Sequence, residues 1–290
     1  MKHTITTTIS QTDYELLDSG NNRKLERFGD IVLDRPDPQA LWKPMLSEQE
    51  WNNAHAKFSA DEKGAWQFFK KVPEKWEVKI GDFSFWIHLG SFKHTGVFPE
   101  HLANWDWIQN VLKGATPEMN VLNLFGYTGG ATLAAAKAGA SVVHLDGSKS
   151  AINWAKDNAQ SSGLAEKPIR WILDDALVFL RREVKRGRLY HGIIMDPPAY
   201  GHGPDGEMWK IEKDFLTLLD LCKQVLAPDA KFVLINGYAS GYSSIAYQNC
   251  LSSLMKDLKG EIEIGELSIQ ETKHKRLLPA GIFARWSGNR

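Results

Sequence analysis

Cysteine is almost missing from this chain: Cys222 and Cys250 are the only two in 290 residues. Two thiols build neither a disulfide scaffold nor a cysteine-rich metal site, and they suit a reducing compartment. Net charge is missing too, since 35 Lys and Arg balance 35 Asp and Glu. A polyanionic partner is therefore not advertised by bulk charge, and any phosphate contact has to come from a local patch. No apolar run approaches the ~20 residues that a membrane span needs. The polar, Thr-rich opening Met1–Gln11 has no apolar signal-peptide core. Nine histidines are scattered without a His-x-x-x-His pairing, so no metal is expected. Repeats and low-complexity tracts are absent, and no feature specifies an oligomeric state. The expectation is a cytoplasmic protein with no membrane contact. Its 43% hydrophobic and 24% charged residues are near globular averages, which excludes disorder.

What is present changes character near Thr116–Pro117, dividing the chain into a small β-rich part with short helices (residues 1–116) and an α/β part (117–290). In the first part, Phe28–Leu33 alternates weakly and runs into Asp34-Arg35-Pro36-Asp37-Pro38, where the prolines stop a ladder. Ser47 and Glu50 fit a capping box at the start of a short helix. Trp76–Ile80 and Phe83–Leu89 alternate around Gly81-Asp82, a two-residue hairpin signal. Trp42, Trp51, Trp66, Trp76, Trp86, Trp105 and Trp107 all precede residue 117; packing is the expected role, with base stacking as the alternative.

The second part alternates short apolar runs with helical segments. The runs are Asn120–Phe125, Ser141–Asp146, Ile169–Asp174, Gly192–Asp196 and Lys231–Asn236, as expected for parallel strands buried on both faces. Helices are expected over Gly130–Ala138, Lys149–Ser161, Ala176–Arg186, Trp209–Leu226 and Ser243–Leu258, and Gly139 and Gly163 follow two of them. Glu261–Leu267 and Gly281–Trp286 then read as two strands with no helix between them, an antiparallel pair at a sheet edge. The fold class is a doubly wound, Rossmann-like α/β sheet.

Its first strand ends in Phe125-Gly126-Tyr127-Thr128-Gly129-Gly130, a glycine-rich turn into a helix, where a ligand can approach backbone amides. Dinucleotide binding through Gly-x-Gly-x-x-Gly fails here, because Thr128 and Ala131 stand at the second and third glycine positions. A nucleoside with an amino-acid tail and no pyrophosphate tolerates Thr128 better. Asp146 ends the second strand, placed to accept ribose hydroxyls. Capping the next helix is the alternative, although Ser148, after Gly147, is available for that. Asp174 and Asp175 end the third strand before Ala176; one of them can cap the helix, and Asp175, ahead of Asp174, is expected to meet an adenine amino group. The fourth strand delivers Asp196-Pro197-Pro198-Ala199-Tyr200-Gly201. Two prolines make this turn rigid and leave only carbonyl acceptors. Asp196, those carbonyls and the Tyr200 ring form a clamp for a planar, nitrogen-rich substrate, and the alternative is a rigid turn with Tyr200 packed on the surface.

With those residues in hand, the chain resembles class I S-adenosylmethionine-dependent methyltransferases, which share the F-x-Y-T-G-G loop, the acid at the end of strand two and the D/N-P-P-x-[YF] turn. More narrowly it is similar to the ribosomal RNA large-subunit methyltransferase I family and its guanine-N7 relatives. Lys93-His94-Thr95-Gly96-Val97-Phe98 resembles that family's K-T-G-x-F segment, which touches the cofactor side through Thr95 and Gly96. The resemblance implies a strand order of 3-2-1-4-5-7-6, S-adenosyl-L-methionine as cofactor and RNA as substrate. It also implies an N-terminal RNA-binding domain, which residues 1–90 do not match. Cofactor contacts are then expected from Phe125, Gly126, Tyr127, Thr128, Gly129, Asp146, Gly147, Ser148, Asp174, Asp175, Ala176 and Asp196, and catalytic contacts from Asp196, Pro197, Pro198 and Tyr200.

The chain departs from cytosine-C5 enzymes of that family, which place a cysteine after strand five; here Asn236-Gly237-Tyr238-Ala239-Ser240 stand there. Cys222 and Cys250 sit in apolar helical segments and read as buried, so a nitrogen acceptor, which needs no covalent nucleophile, is favoured. Arg181, Arg182, Lys185, Arg186 and Arg188 at one helix end, and Lys273, His274, Lys275 and Arg276, are either RNA-contacting patches or solvated faces. The expected function is nucleobase methylation in ribosomal RNA. A small-molecule or protein N-methyltransferase and a non-catalytic cofactor-binding assembly protein are the alternatives.

Overall fold

Apolar runs too short to be helices, separated by amphipathic segments, bury both strand faces only in a parallel sheet covered by helices on either side. The computed structural model, which describes residues 2–59, 64–238 and 241–288, has this arrangement. In chain order the elements are β1 (Lys2–Thr8), β2 (Tyr14–Gly20), β3 (Arg23–Phe28), β4 (Ile31–Pro36), α1 (Glu48–Asn52), β5 (Ala56–Ser59), β6 (Ala65–Phe68), β7 (Lys75–Ile80) and β8 (Phe83–His88). There follow α2 (Leu102–Val111), β9 (Asn120–Leu124), α3 (Gly130–Lys137), β10 (Ser141–Asp146), α4 (Lys149–Ser161), β11 (Ile169–Leu173), α5 (Ala176–Arg186) and β12 (Gly192–Met195). The chain closes with β13 (Tyr200–His202), β14 (Met208–Lys210), α6 (Ile211–Gln224), β15 (Phe232–Gly237), α7 (Ser244–Leu254), β16 (Gly260–Gln270) and β17 (Leu277–Gly288).

The large sheet has the order β1-β16-β17-β15-β12-β9-β10-β11. Counting its strands from β9, this is the expected 3-2-1-4-5-7-6, with β15 and β17 antiparallel and β1 added on the outer edge. β1 was not expected as a strand, because its sequence is polar and Thr-rich with no apolar period; its β-branched threonines suit an edge. Leu124 pairs with Leu145 on one side and Met195 on the other. Phe125, Asp146 and Asp196 therefore leave the sheet side by side, at the point where the strand order reverses.

The chain forms two compact units that are not contiguous in sequence: residues 1–6, 103–266 and 281–290 in one, residues 7–102 and 267–280 in the other. The division differs from a cut at 116/117. α2 belongs with the large sheet because Trp107 packs edge-on against Phe232, 5.6 Å between ring centres, and Asn104 donates to Asn236 Oδ1 at 2.9 Å. Among the described residues no helix is long and apolar enough to cross a membrane.

The second unit pairs β2-β3-β4-β5-β6 in one sheet and β7-β8 in a hairpin. The hairpin has the expected register, Ile80 against Phe83 and Val78 against Phe85, and the Ser47–Glu50 capping box is present. Phe28–Leu33 is not one strand: the chain reverses at Gly29 (φ 61°) to pair β3 with β4. The tryptophans are structural here, with Trp42 donating to Ser19 O, Trp51 to Asp18 Oδ2 and Trp76 to Phe28 O. Arg276 is held by Asp18 and Glu271 at 2.7 and 2.8 Å, so it is not a free phosphate contact.

This unit carries charge in its interior. Glu26 is fully buried; it receives Tyr14 Oη at 2.8 Å and Arg35 at 2.5 Å, with Lys24 Nζ at 3.7 Å. Burial alone would raise its pKa, but Arg35 and Lys24 overrule that and hold it below the usual carboxylate range. Replacing Glu26 by Gln leaves Arg35 beneath the surface without a carboxylate, while Lys24 keeps Asp37 at 3.4 Å. Urea unfolding of Glu26→Gln is expected to show a loss of about 3–5 kcal/mol; a change below about 1 kcal/mol would show that the buried pair carries no such weight.

Candidate active site

The turn after β9 is tightly coiled, with Phe125, Tyr127 and Gly129 at φ of 58°, 48° and 95°. For Phe125 and Tyr127 this is strained backbone that surrounding contacts must hold, at about 1–3 kcal/mol each. They do so: Gly126 N donates to Leu145 O at 2.9 Å, Tyr127 N to Asp146 Oδ2 at 2.8 Å, and Asn158 Nδ2 to Thr128 O at 2.9 Å. Two of the glycines are there for space. A Cβ on Gly126 would lie 2.5 Å from the His144 ring, and one on Gly130 would lie 2.4 Å from Trp105. Thr128 is buried, so its side chain packs into the protein.

Asp146 divides its carboxylate between two backbone amides, with Oδ1 taking Ser148 N at 2.8 Å and Oδ2 taking Tyr127 N. Burial raises its pKa while the two amides oppose the rise. Ser148 caps α4 by accepting from Ala151 N, as expected, so the side chain of Asp146 is not the cap. At the end of β11, Asp175 is the cap of α5, accepting from Val178 N at 2.9 Å. Asp174 accepts from Asp175 N at 3.0 Å and is ion-paired with Arg182. The capping role foreseen for one of the two thus falls to Asp175, ahead of Ala176.

The Asp196-Pro197-Pro198 turn does not lead straight into a helix. It enters a hairpin in which Tyr200 pairs with Lys210 and Gly201 with Trp209. Trp209, expected at the head of a helix, is instead buried on β14. Its Nε1 donates to Pro198 O at 2.7 Å, and its ring lies 5.0 Å from that of Phe125. One residue thus ties the loop to the turn, and it takes one of the carbonyls expected to serve a substrate. Tyr200 is half exposed at 49%, with its hydroxyl 2.9 Å from His202 Nε2. Beyond it the hairpin lies against Gly147, whose added Cβ would be 3.0 Å from His202 O, and a Cβ added to Gly203 would be 3.1 Å from Asp175 Cβ. The loop, Asp146, Gly147, Asp175 and the Asp196–Tyr200 turn are therefore brought together at one edge of the sheet. Thr95 and Gly96 belong to the other compact unit, where Thr95 is buried with a hydroxyl that has no hydrogen-bond partner.

Cys222 is fully buried and Cys250 half-buried, and burial pushes both thiols up. Ala239 and Ser240 lie outside the described residues. Of the basic helix end, Arg182 is engaged by Asp174 and Arg186 by Glu183 at 2.8 Å.

Beneath the loop, Asn123 Nδ2 donates to Thr132 Oγ1, which is 2.9 Å from His144 Nδ1. Burial lowers the His144 pKa to about 3, so the folded protein keeps it neutral while the unfolded chain takes a proton near pH 6.5. Stability is present above pH 6.5 and is lost as pH falls toward the folded pKa. Acidification from pH 7.5 to 5 is expected to cost about 2 kcal/mol through this ring. His144→Gln should flatten the pH dependence of urea midpoints by that amount, and an unchanged slope would contradict it.

A family model described as S-adenosylmethionine-dependent methyltransferase matches residues 50–246. A SAM-dependent methyltransferase from Agrobacterium tumefaciens shares 38% identity and a TM-score of 0.94, over 99% of this chain and 94% of that one. SMU.776, solved in complex with SAH, shows the same fold at 16% identity, with a TM-score of 0.73 over 95% and 75% of the two chains. Among curated proteins, the ribosomal RNA large subunit methyltransferase K/L of Shewanella frigidimarina is 32% identical over 72% of this chain and 28% of its own. That of Syntrophotalea carbinolica is 30% identical over 61% and 24%. The chain thus spans about a quarter of the length of these curated relatives, and they are of the K/L kind, which makes the narrower likeness to the I family loose. With a loop ordered by Asp146, an acidic proline turn beside it and a family model covering more than half of its length, this chain belongs to the S-adenosylmethionine-dependent methyltransferases.

Proposed function

We propose that this methyltransferase modifies a ring nitrogen or exocyclic amine of a nucleobase in ribosomal RNA. The observation that carries the reading is the Asp196-Pro197-Pro198-Ala199-Tyr200 turn, pinned by Trp209 to the cofactor loop with the Tyr200 ring half exposed. The K/L relatives, named for ribosomal RNA, support the substrate class. A base stacked on Tyr200 offers its N–H groups to the Asp196 carboxylate and the Pro197 carbonyl. Tyr238 and Tyr242, exposed beyond the end of β15, add aromatic surface for neighbouring bases. The reading places this protein in the cytoplasm.

The bound S-adenosylmethionine supplies an electrophilic methyl group on its sulfonium. The donor set suits such a ligand: Asp146 keeps lone pairs for ribose hydroxyls beyond its two amide contacts, Asp175 and Ala176 flank the adenine end, and the loop from Phe125 to Gly129 receives the amino-acid tail. The turn holds the acceptor nitrogen in line and keeps its lone pair free, a proximity effect. A pyrimidine C5 acceptor needs a thiolate to attack C6, and the only two thiols are raised in pKa by burial within α6 and α7.

Calorimetry with S-adenosylhomocysteine should show Asp146→Ala weaker than wild type by about 1.5–3 kcal/mol. Trp209→Phe, which keeps the ring and removes the N–H, should leave that affinity within a few-fold and lower turnover on ribosomal RNA at least ~10-fold. Wild-type turnover in Trp209→Phe, or preferential binding of NAD by the native protein, would overturn the assignment of these roles.

A further inference from the structure

At the opposite edge of the large sheet, where β9, β10 and β11 begin, lies a cavity of about 470 Å³ that the methyl-transfer site does not use. Lys167, Arg170 and Arg188 line it together with Glu183, Leu189 and Tyr190. Glu183 is the one carboxylate among the lining residues, and both of its oxygens are taken: Oε2 receives the Tyr190 hydroxyl at 2.6 Å and Oε1 receives Arg186 at 2.8 Å. Tyr190 and Glu183 are buried, so they form a rigid floor. Arg170 and Arg188 both act electrostatically on the Tyr190 hydroxyl, which places the two guanidinium groups at one locus. Among the described residues, no carboxylate lies within ion-pair distance of Lys167, Arg170 or Arg188.

Three cations converge on a recess in a chain whose net charge is zero. Glu183 attracts Arg170 electrostatically, but both of its oxygens are already bonded elsewhere, and low-dielectric walls concentrate the positive potential of the three cations. Guanidinium forks match phosphate oxygens in bidentate pairs, and Lys167 adds a point charge. We propose that this recess is a phosphate-binding site, and that its ligand is the sugar–phosphate backbone of the RNA strand bearing the target base. The choice of RNA over a free nucleotide rests on the substrate class proposed above; the phosphate chemistry does not. The recess is one strand length from the active edge. β10 has six residues, about 20 Å at ~3.3 Å per residue, so the strand engaged here is several nucleotides removed from the base being methylated. Neither the earlier basic helix end nor Lys273–Arg276 includes Lys167 or Arg170, and the cluster was invisible in sequence because its members are brought together from two separate turns.

The test uses the full chain with a fluorescent single-stranded oligoribonucleotide and, separately, inorganic tripolyphosphate. Wild type is compared with Arg170→Gln/Arg188→Gln and, as a control for general charge loss, with Lys273→Gln/Lys275→Gln. In ~100 mM salt the first double variant should bind the oligonucleotide at least ~10-fold more weakly. Its log–log salt slope should shrink by about 1.4, the loss of two phosphate contacts at ~0.7 each. S-adenosylhomocysteine affinity and the thermal midpoint should be those of wild type, and the control should keep the wild-type slope. If wild type binds tripolyphosphate alone, and the Arg170/Arg188 variant loses it, the phosphate site stands and the RNA reading fails. If neither probe depends on Arg170 and Arg188, the proposal is overturned.

Discussion

Asp146 is where the architecture and the chemistry meet. Its carboxylate takes the amides of Tyr127 and Ser148, one in the loop after β9 and one at the cap of α4. The loop needs such an anchor, because Phe125 and Tyr127 adopt left-handed backbone that ordinary side chains avoid. A carboxylate at the end of the neighbouring strand supplies it only because Leu124 and Leu145 are in register. The same register sets Met195 beside Leu124, which brings Asp196 to the same level. Parallel pairing of three buried strands therefore fixes the separation of the Phe125–Gly130 loop and the Asp196–Tyr200 turn before any polar contact is made.

The second fastening is made by Trp209. Burying an indole against Phe125 stabilises the hairpin by hydrophobic contact, and its N–H gives direction by seeking out Pro198 O. A turn of two prolines has few amides with which to hold itself, so a donor from elsewhere must orient its carbonyls. The result is a turn whose aromatic, Tyr200, stands on a backbone that is rigid on both sides, as the proposed acceptor role requires. Enzymes that rely on alignment rather than covalent attack require this rigidity.

Much of the sheet was legible in the sequence. β10, α4 and α5 have the expected bounds, because apolar runs end at acids, and Ser148, Asp175 and Gly187 supply the caps. The edge strand β1 was not, since its exposed, Thr-rich pattern carries no apolar period. The hairpin β13–β14 was missed for a similar reason: Tyr200–Lys210 is short, polar and interrupted by Pro204 and Gly206, and its order comes from tertiary contact with Trp209. Asp146 and Asp196 were legible as acids at strand ends. Asp175 was ambiguous because capping and ligand contact ask for the same residue at the same place. The pairing of Arg182 with Asp174 and of Arg276 with Asp18 was beyond sequence reading, as it depends on side chains meeting across turns.

The most direct measurement is nucleoside mass spectrometry of ribosomal RNA from a strain lacking this gene, after incubation with the protein and S-adenosylmethionine carrying a deuterated methyl group. The account predicts the heavy methyl on a nitrogen of one nucleobase, and none without the protein. Label on a pyrimidine carbon, on a ribose hydroxyl, or only in the small-molecule fraction would contradict it.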